Sequence, residues 1–336
     1  MIASLILISI AVSFFVTLFT IPVWIKKAKG VGLVGNDMNK LKKIEVVESG
    51  GISVLLGFIL GVLLYIAYRT FLLGATNGAL IGSLATLCSL LIIGFIGFAD
   101  DILGWKIGLT RKVRLFLLIF AAIPLMVINA GESVISLPFL GIMNVGLLYP
   151  LILIPLAIVG ASATFNFLAG INGLEAGQGI LILSALAITT YFTGNSWLTI
   201  ILLCMVASLL AFLLFNFYPA RVFPGDILTY SVGGLIAIAA ILGNIEKIAL
   251  FFFIPYILEV GLKVRGKLKK ESFGKPTQDG TLDLRYPKIY GVVHLAIVAL
   301  KKLGIRSTEK NVAYLIWAFQ LLIIIAGFII FRNGIF

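Results

Sequence analysis

About 20 consecutive apolar residues are enough for a helix to cross the hydrocarbon core of a bilayer, and this chain of 336 residues presents ten such stretches. They fall at 2–25, 50–73, 78–98, 115–130, 147–165, 175–193, 197–217, 227–243, 248–262 and 311–331, the fourth and ninth being short. Charged residues make up only 12% of the chain, where a soluble domain carries about 25%. The fold class that follows is an all-α polytopic integral membrane protein, with residues 1–336 read as one transmembrane domain. The first run lacks a basic n-region and a small-residue cleavage site, so it reads as a retained helix. Cys88 and Cys204 both lie inside apolar runs, which predicts neither a disulfide framework nor a metal knuckle.

The net charge of +12 is explained by position. With ten spans, the odd-numbered connections share one face, and that face receives every Lys and Arg except Arg69, Lys247 and Arg332. Basic loops stay cytoplasmic, so the reading places this face in the cytoplasm and both termini outside. The same face collects every acid except Glu132 and Glu246. No nucleic-acid partner is expected, because the basic excess follows membrane orientation. In the long connection 263–310, Thr281 to Tyr286 alternates apolar and polar after Gln278-Asp279-Gly280, which predicts a small β-hairpin. Lys288 to Leu303 then reads as an interfacial helix. No internal repeat is visible.

Three polar islands interrupt the apolar pattern on that face. Phe165 to Gly179, FNFLAGINGLEAGQG, sets two Asn, one Glu and one Gln among glycines. Irregular backbone at a membrane surface is tolerated where it faces protein or water, and polar groups there point to function. Asp100-Asp101 follows an apolar run directly; paired carboxylates raise each other's pKa unless a cation lies beside them. A solvated helix end is the bland alternative, but Lys112 and Arg114 follow closely, and acids beside cations suit a metal–phosphate site. The third island, Tyr218 to Asp226, offers Gly225 for close backbone approach, Asp226 as a helix cap or ligand, and Phe223 as a base-stacking ring or interface anchor. Glu48, opening the second span in VVESGG, reads as a partner for sugar hydroxyls. His294, the one histidine, lies in an apolar run and reads as structural.

The strings FADDILGW, FNFLAGINGLEAGQG, NFYPARVFPGD and VVESGG resemble the polyprenyl-phosphate N-acetylhexosamine-1-phosphate transferases, in particular the eukaryotic and archaeal dolichyl-phosphate N-acetylglucosamine phosphotransferases. The resemblance runs in order from Glu48 to Tyr286. It implies transfer of GlcNAc-1-phosphate from UDP-GlcNAc to dolichyl or another polyprenyl phosphate, with release of UMP. It implies Mg2+, or Mn2+ in its place, held by Asn166 and Asp226. Asp100 and Asp101 take the paired acids' place, serving acceptor phosphate, metal or base. Lys112 matches the phosphate-holding lysine, at a slightly longer spacing. Gly170, Asn172 and Phe223 form the uridine pocket with Glu175 close by; Arg221 lies beside it, and Glu48 faces the sugar.

In one place the chain departs from the family pattern. Where a His/Arg-rich sugar-recognition motif is usual, this sequence has Glu271-Ser272-Phe273-Gly274-Lys275-Pro276. That keeps another UDP-N-acetyl amino sugar as an alternative donor, and an archaeal source suits both the match and the departure. A lipid or sugar-phosphate transporter is the reading from another class. Transporters tend to repeat their halves and keep ionisable groups near the midplane, whereas here the acids gather at one face. The sequence leaves a homodimer open.

Overall fold

The computed structural model describes the backbone of residues 2–74, 78–137 and 141–335; the side chains of 2–5, 105–107, 135–137 and 141–142, Lys106 among them, lie outside the description. The described chain is helical almost throughout. α1 (Ile2–Gly30), α2 (Gly51–Leu73), α3 (Gly78–Ile107), α4 (Arg111–Phe120) and α5 (Ile123–Val127) form the first half. α6 (Ile154–Phe165), α7 (Leu174–Phe192), α8 (Ser196–Asn216), α9 (Gly225–Gly243), α10 (Glu246–Phe252), α11 (Ile254–Arg265), α12 (Val292–Lys302) and α13 (Glu309–Ile330) follow. Three short antiparallel pairs complete it: β1 (Val34–Asn36) with β2 (Glu45–Val47), β3 (Val134–Leu137) with β4 (Gly141–Asn144), and β5 (Lys275–Pro276) with β6 (Leu282–Asp283).

Seven helices among the described residues are long and apolar enough to cross a membrane: α1, α2, α3, α7, α8, α9 and α13. Of the other three stretches expected as spans, two are interrupted, and the third, Tyr149–Phe165, is a continuous apolar helix shorter than the seven. α4 gives way to α5 at Ala121-Ala122, ahead of Pro124. The stretch Tyr149–Phe165 begins as a π-helical turn containing Pro150 and passes into α6 at Pro155. α10 stops at Phe253, just before Pro255 in the first turn of α11. Proline lacks the N–H a continuing helix needs and its ring crowds the preceding turn. The β1–β2 and β3–β4 pairs were not anticipated.

α9 is the most deeply buried of the seven and packs against α3 and α6. Small residues permit the approach. A Cβ at Gly97 would lie 2.6 Å from Ile227 Cα, and one at Gly233 would lie 2.4 Å from the Ala161 carbonyl oxygen. Close backbone contact through small residues is how apolar helices associate where lipid offers no hydrophobic drive. Gly97 and Asp101 are four residues apart on α3, so they share a helix face. The contact that seats Gly97 on α9 therefore carries Asp101 to the start of the same helix.

Candidate active site

The segment carrying Glu48 and the segment before α9 are zipped together. Val47 bridges Val222 in parallel. The Phe223 N–H donates to the Val47 carbonyl at 2.7 Å, and those of Gly50 and Gly51 donate to Phe223 and Pro224 at 2.8 and 3.0 Å. Indole Nε1 of Trp24 donates to the Glu48 carbonyl at 2.9 Å. Glu48 is thereby held near the first turn of α9. Burial first, and the Asp226 charge second, push its carboxyl up to about 7.

Asp101 Oδ1 accepts the Asp226 N–H at 2.7 Å, and Oδ2 that of Ile227 at 3.4 Å. These are amide donors that a helix start leaves without intrahelical partners. Asp101 thus caps α9 from another helix, and the expected capping role of Asp226 falls to it. A Cβ at Gly225, where φ is +70°, would lie 2.2 Å from Asp101 Oδ2, so only glycine admits this carboxylate.

With its backbone fixed, Asp226 turns both side-chain oxygens into a polar junction. Oδ1 accepts Asn166 Nδ2 at 2.9 Å. Oδ2 accepts Arg114 Nη1 at 2.8 Å, and the same nitrogen reaches Asp100 Oδ2 at 2.8 Å and the Tyr230 hydroxyl at 3.1 Å. Asp100 Oδ1 accepts the Leu109 N–H at 2.6 Å. Asp100 and Asp226 thus share one guanidinium, with Asp101 on the Asp226 backbone and Glu48 nearby, an arrangement rich in negative charge unless further cations approach. Hard oxygen donors from one or two carboxylates and an amide, completed by phosphate oxygens, are what Mg2+ takes. The donor set fits that ion, and Asp226, Asn166 and Asp100 are the residues that could hold it.

The FNFLAGINGLEAGQG loop forms the facing wall. Glu175, in the first turn of α7, accepts the Gly170 N–H at 2.8 Å and so folds the loop onto its own helix start. A Cβ at Gly170, where φ is +108°, would lie 2.5 Å from the Phe273 ring. His294, fully buried, holds that ring's segment: its Nδ1 accepts the Tyr290 N–H at 3.4 Å, which leaves Nε2 to donate to the Phe273 carbonyl at 3.1 Å. Burial lowers the imidazole's pKa, in keeping with this neutral structural role.

A cavity of about 410 Å³ lies between these walls. Among the residues singled out in the sequence, Glu48, Asn166, Gly170, Asn172, Glu175, Phe223, Gly225 and Asp226 line it. Asp100 and Asp101 stand behind Asp226. Two expected residues are not brought in. Lys112 is exposed on α4 and forms no ion pair with the acids, and Arg221 is exposed and stacks over the Phe215 ring at 4.7 Å. The cation that meets the acids is Arg114. Helical periodicity held the signal for this, since residues two apart on α4 point to different faces.

Asn216 and Lys263 also line the cavity without having been singled out in the sequence, and Ser272 lies in the 271–276 segment noted there. Asn216, 1% exposed, donates Nδ2 to the Val222 carbonyl at 2.9 Å and leaves its buried amide oxygen without a partner. Lys263 donates to the Lys270 carbonyl at 3.2 Å and lies 3.8 Å from Glu259. Ser272 links Glu259 to the Phe167 carbonyl at 3.2 and 3.3 Å, which seats the 271–273 segment on the cavity rim.

The fold and site thus define a multi-pass membrane protein with a carboxylate-rich cavity. Residues 83–244 match the profile of glycosyl transferase family 4. The chain is 39% identical over 318 residues to a Saccharolobus solfataricus protein assigned as a UDP-N-acetylglucosamine–dolichyl-phosphate N-acetylglucosaminephosphotransferase, covering 94% of this chain and 93% of that one. A Sulfolobus acidocaldarius protein assigned the same name is 36% identical over 322 residues, with the same coverage of 94% and 93%. The Dictyostelium discoideum enzyme of that name is 32% identical over 266 residues, 67% of this chain and 63% of its own length. The chain belongs to this family, the polyprenyl-phosphate N-acetylhexosamine-1-phosphate transferases.

Proposed function

We propose that the protein transfers GlcNAc-1-phosphate from UDP-GlcNAc to dolichyl or a related polyprenyl phosphate, releasing UMP and forming the first lipid-linked sugar of protein N-glycosylation. The observation that carries the reading is the junction of Asp226 with Asn166 on the wall of the glycine-rich cavity, backed by Arg114 and Asp100. An oxygen of the acceptor phosphate attacks the β-phosphorus of the donor. The bond from that phosphorus to the bridging oxygen breaks, UMP departs with the electron pair, and the sugar keeps its bond to the β-phosphate. Acceptor and donor are both anionic, so positioning and charge neutralisation supply most of the rate. Arg114 offsets charge on the phosphates, and Asp100 and Asp226 hold it in place. A phosphate monoester is already largely ionised at neutral pH, so little general-base help is needed. Mg2+ held by Asp226, Asn166 and Asp100 would supply further neutralisation of the pyrophosphate. Phe223 and Asn172 take the uracil, and Glu48 the sugar.

On a reading of ten crossings, with α4–α5, the 149–165 stretch and α10–α11 added to the seven long helices, the cavity faces the cytoplasm, where the nucleotide sugar is made available. The membrane is then the cell membrane in an archaeal source or the ER membrane in a eukaryotic one. The test uses purified protein, short-chain dolichyl phosphate and a panel of labelled UDP-sugars, with and without Mg2+. Metal-dependent labelling of the lipid by UDP-GlcNAc is the expected result. Labelling by another UDP-sugar alone would move the specificity to the 271–276 segment. No labelling, with sugar-lipid crossing a vesicle membrane, would replace the enzyme by a transporter.

A further inference from the structure

Asp37, Lys40 and Glu309 come from the first connection and from the last helix, and the reaction described above uses none of them. Asp37 and Glu309 are buried, at 6% and 4% exposure. Lys40 joins them: its ammonium lies 3.0 Å from Asp37 Oδ2, forms an ion pair with Glu309, and sits 4.5 Å over the Tyr218 ring. Both carboxylates then converge on one residue of the cavity wall. Glu309 Oε1 accepts the Asn172 N–H at 2.9 Å, and Asp37 Oδ2 accepts Asn172 Nδ2 at 3.1 Å. The adjacent Asn39 N–H donates to Asp37 Oδ1 at 3.1 Å, and Asn39 Nδ2 donates to the Gly170 carbonyl at 2.5 Å.

An amide side chain has a donor end and an acceptor end of nearly equal shape, so an unrestrained Asn presents either to a ligand. An ionised carboxylate only accepts. With Asp37 taking the NH2 end, the carbonyl end of Asn172 is left over, and Asn172 lines the cavity. We infer that Asp37, Lys40 and Glu309 are a positioning network that fixes Asn172 with its carbonyl outward, as an acceptor for the imino N–H of uracil. Cytosine carries an unprotonated nitrogen at that place, so the network selects uridine over cytidine nucleotides. Lys40 makes this affordable: without it two buried carboxylates would face each other unpaired. The inference rests on the reading of the donor as a uridine nucleotide.

Titration calorimetry of the full-length protein in detergent with UMP and with CMP tests it. The wild type is expected to bind UMP at least tenfold more tightly than CMP, in line with the discrimination available from one buried hydrogen bond. In Asp37→Asn, which keeps the shape but lets Asn172 turn over, the ratio is expected to shrink at least fivefold. Glu309→Gln keeps the network's volume and is expected to raise KM for the UDP-sugar severalfold, with kcat within about twofold. A purely structural role would lower both affinities together and leave the ratio intact. An unchanged ratio in Asp37→Asn overturns the network. Failure of the wild type to bind UMP at all overturns the uridine reading itself, and the inference with it.

Discussion

Asp101 on α3 accepts the backbone N–H of Asp226 on α9 at 2.7 Å, so one carboxylate of the site is an anchor for another. Asp101→Ala removes a helix cap and leaves buried amide donors without a partner, a loss of about 1–2 kcal/mol. The expected outcome is a lower melting temperature in detergent together with near-complete loss of transfer. Asp101→Asn retains an accepting oxygen, and it should recover most of the stability and part of the activity. A stable, fully active Asp101→Ala would show that Asp226 needs no such anchor.

Arg114, not Lys112, meets the acids. Arg114→Ala leaves Asp100 and Asp226 side by side without their cation and is expected to lower kcat/KM at least a hundredfold, on the order of 3 kcal/mol in the barrier. Lys112→Ala should stay within about threefold of wild type. Steady-state kinetics with both substrates varied distinguish the two residues, and the reverse order of effects would contradict the placement described here.

Glu48 makes stability depend on pH. Its carboxyl is raised from an ordinary 4.5 to about 7 by burial and then by the Asp226 charge. The folded state thus binds the proton more tightly than the unfolded state does. Below pH 4.5 this contribution is fully present, and it is lost as pH rises through 7. The difference of about 2.5 units corresponds to at most about 3 kcal/mol. Glu48→Gln should therefore melt higher than wild type at pH 8 and about the same at pH 5, in metal-free solution. Parallel melting curves across that range would remove Glu48 as the titrating group.

Gly97 sets the distance between α3 and α9. Gly97→Val forces a β-carbon and two γ-methyls against Ile227, whose Cα would lie 2.6 Å from the β-carbon. Overpacking of this kind destabilises by about 1–3 kcal/mol. Activity should fall more than stability does, because the same shift moves Asp101 away from the start of α9. A variant that loses stability while retaining full activity in the cold would separate helix packing from the site.

Gly170→Ala tests the lid that Phe273 makes over the glycine-rich loop. The added carbon meets both a φ of +108° and the ring at 2.5 Å, so KM for the UDP-sugar should rise at least tenfold. The double variant with Phe273→Ala relieves the clash but not the strain, and it should recover part of that loss. No recovery would assign the whole effect to the backbone.

The apolar runs determined the membrane class, because lipid admits long apolar helices and excludes unpaired charge. The residue types of the islands also pointed to a metal–phosphate site, since carboxylates, an amide and glycines are what such chemistry uses. The local geometry of the three shorter apolar stretches escaped this reading: hydropathy sums over a window, whereas Pro124, Pro155 and Pro255 act on single hydrogen bonds. Partnerships within the site were decided by tertiary structure alone. Asp101 reaches Asp226 across 125 residues of sequence, and Asn172 reaches Glu309 across 137. Whether Arg114 or Lys112 meets the acids depends on the rotation of α4 against α3 and α9. That rotation is set by side-chain packing between helices, which no local pattern of residues records.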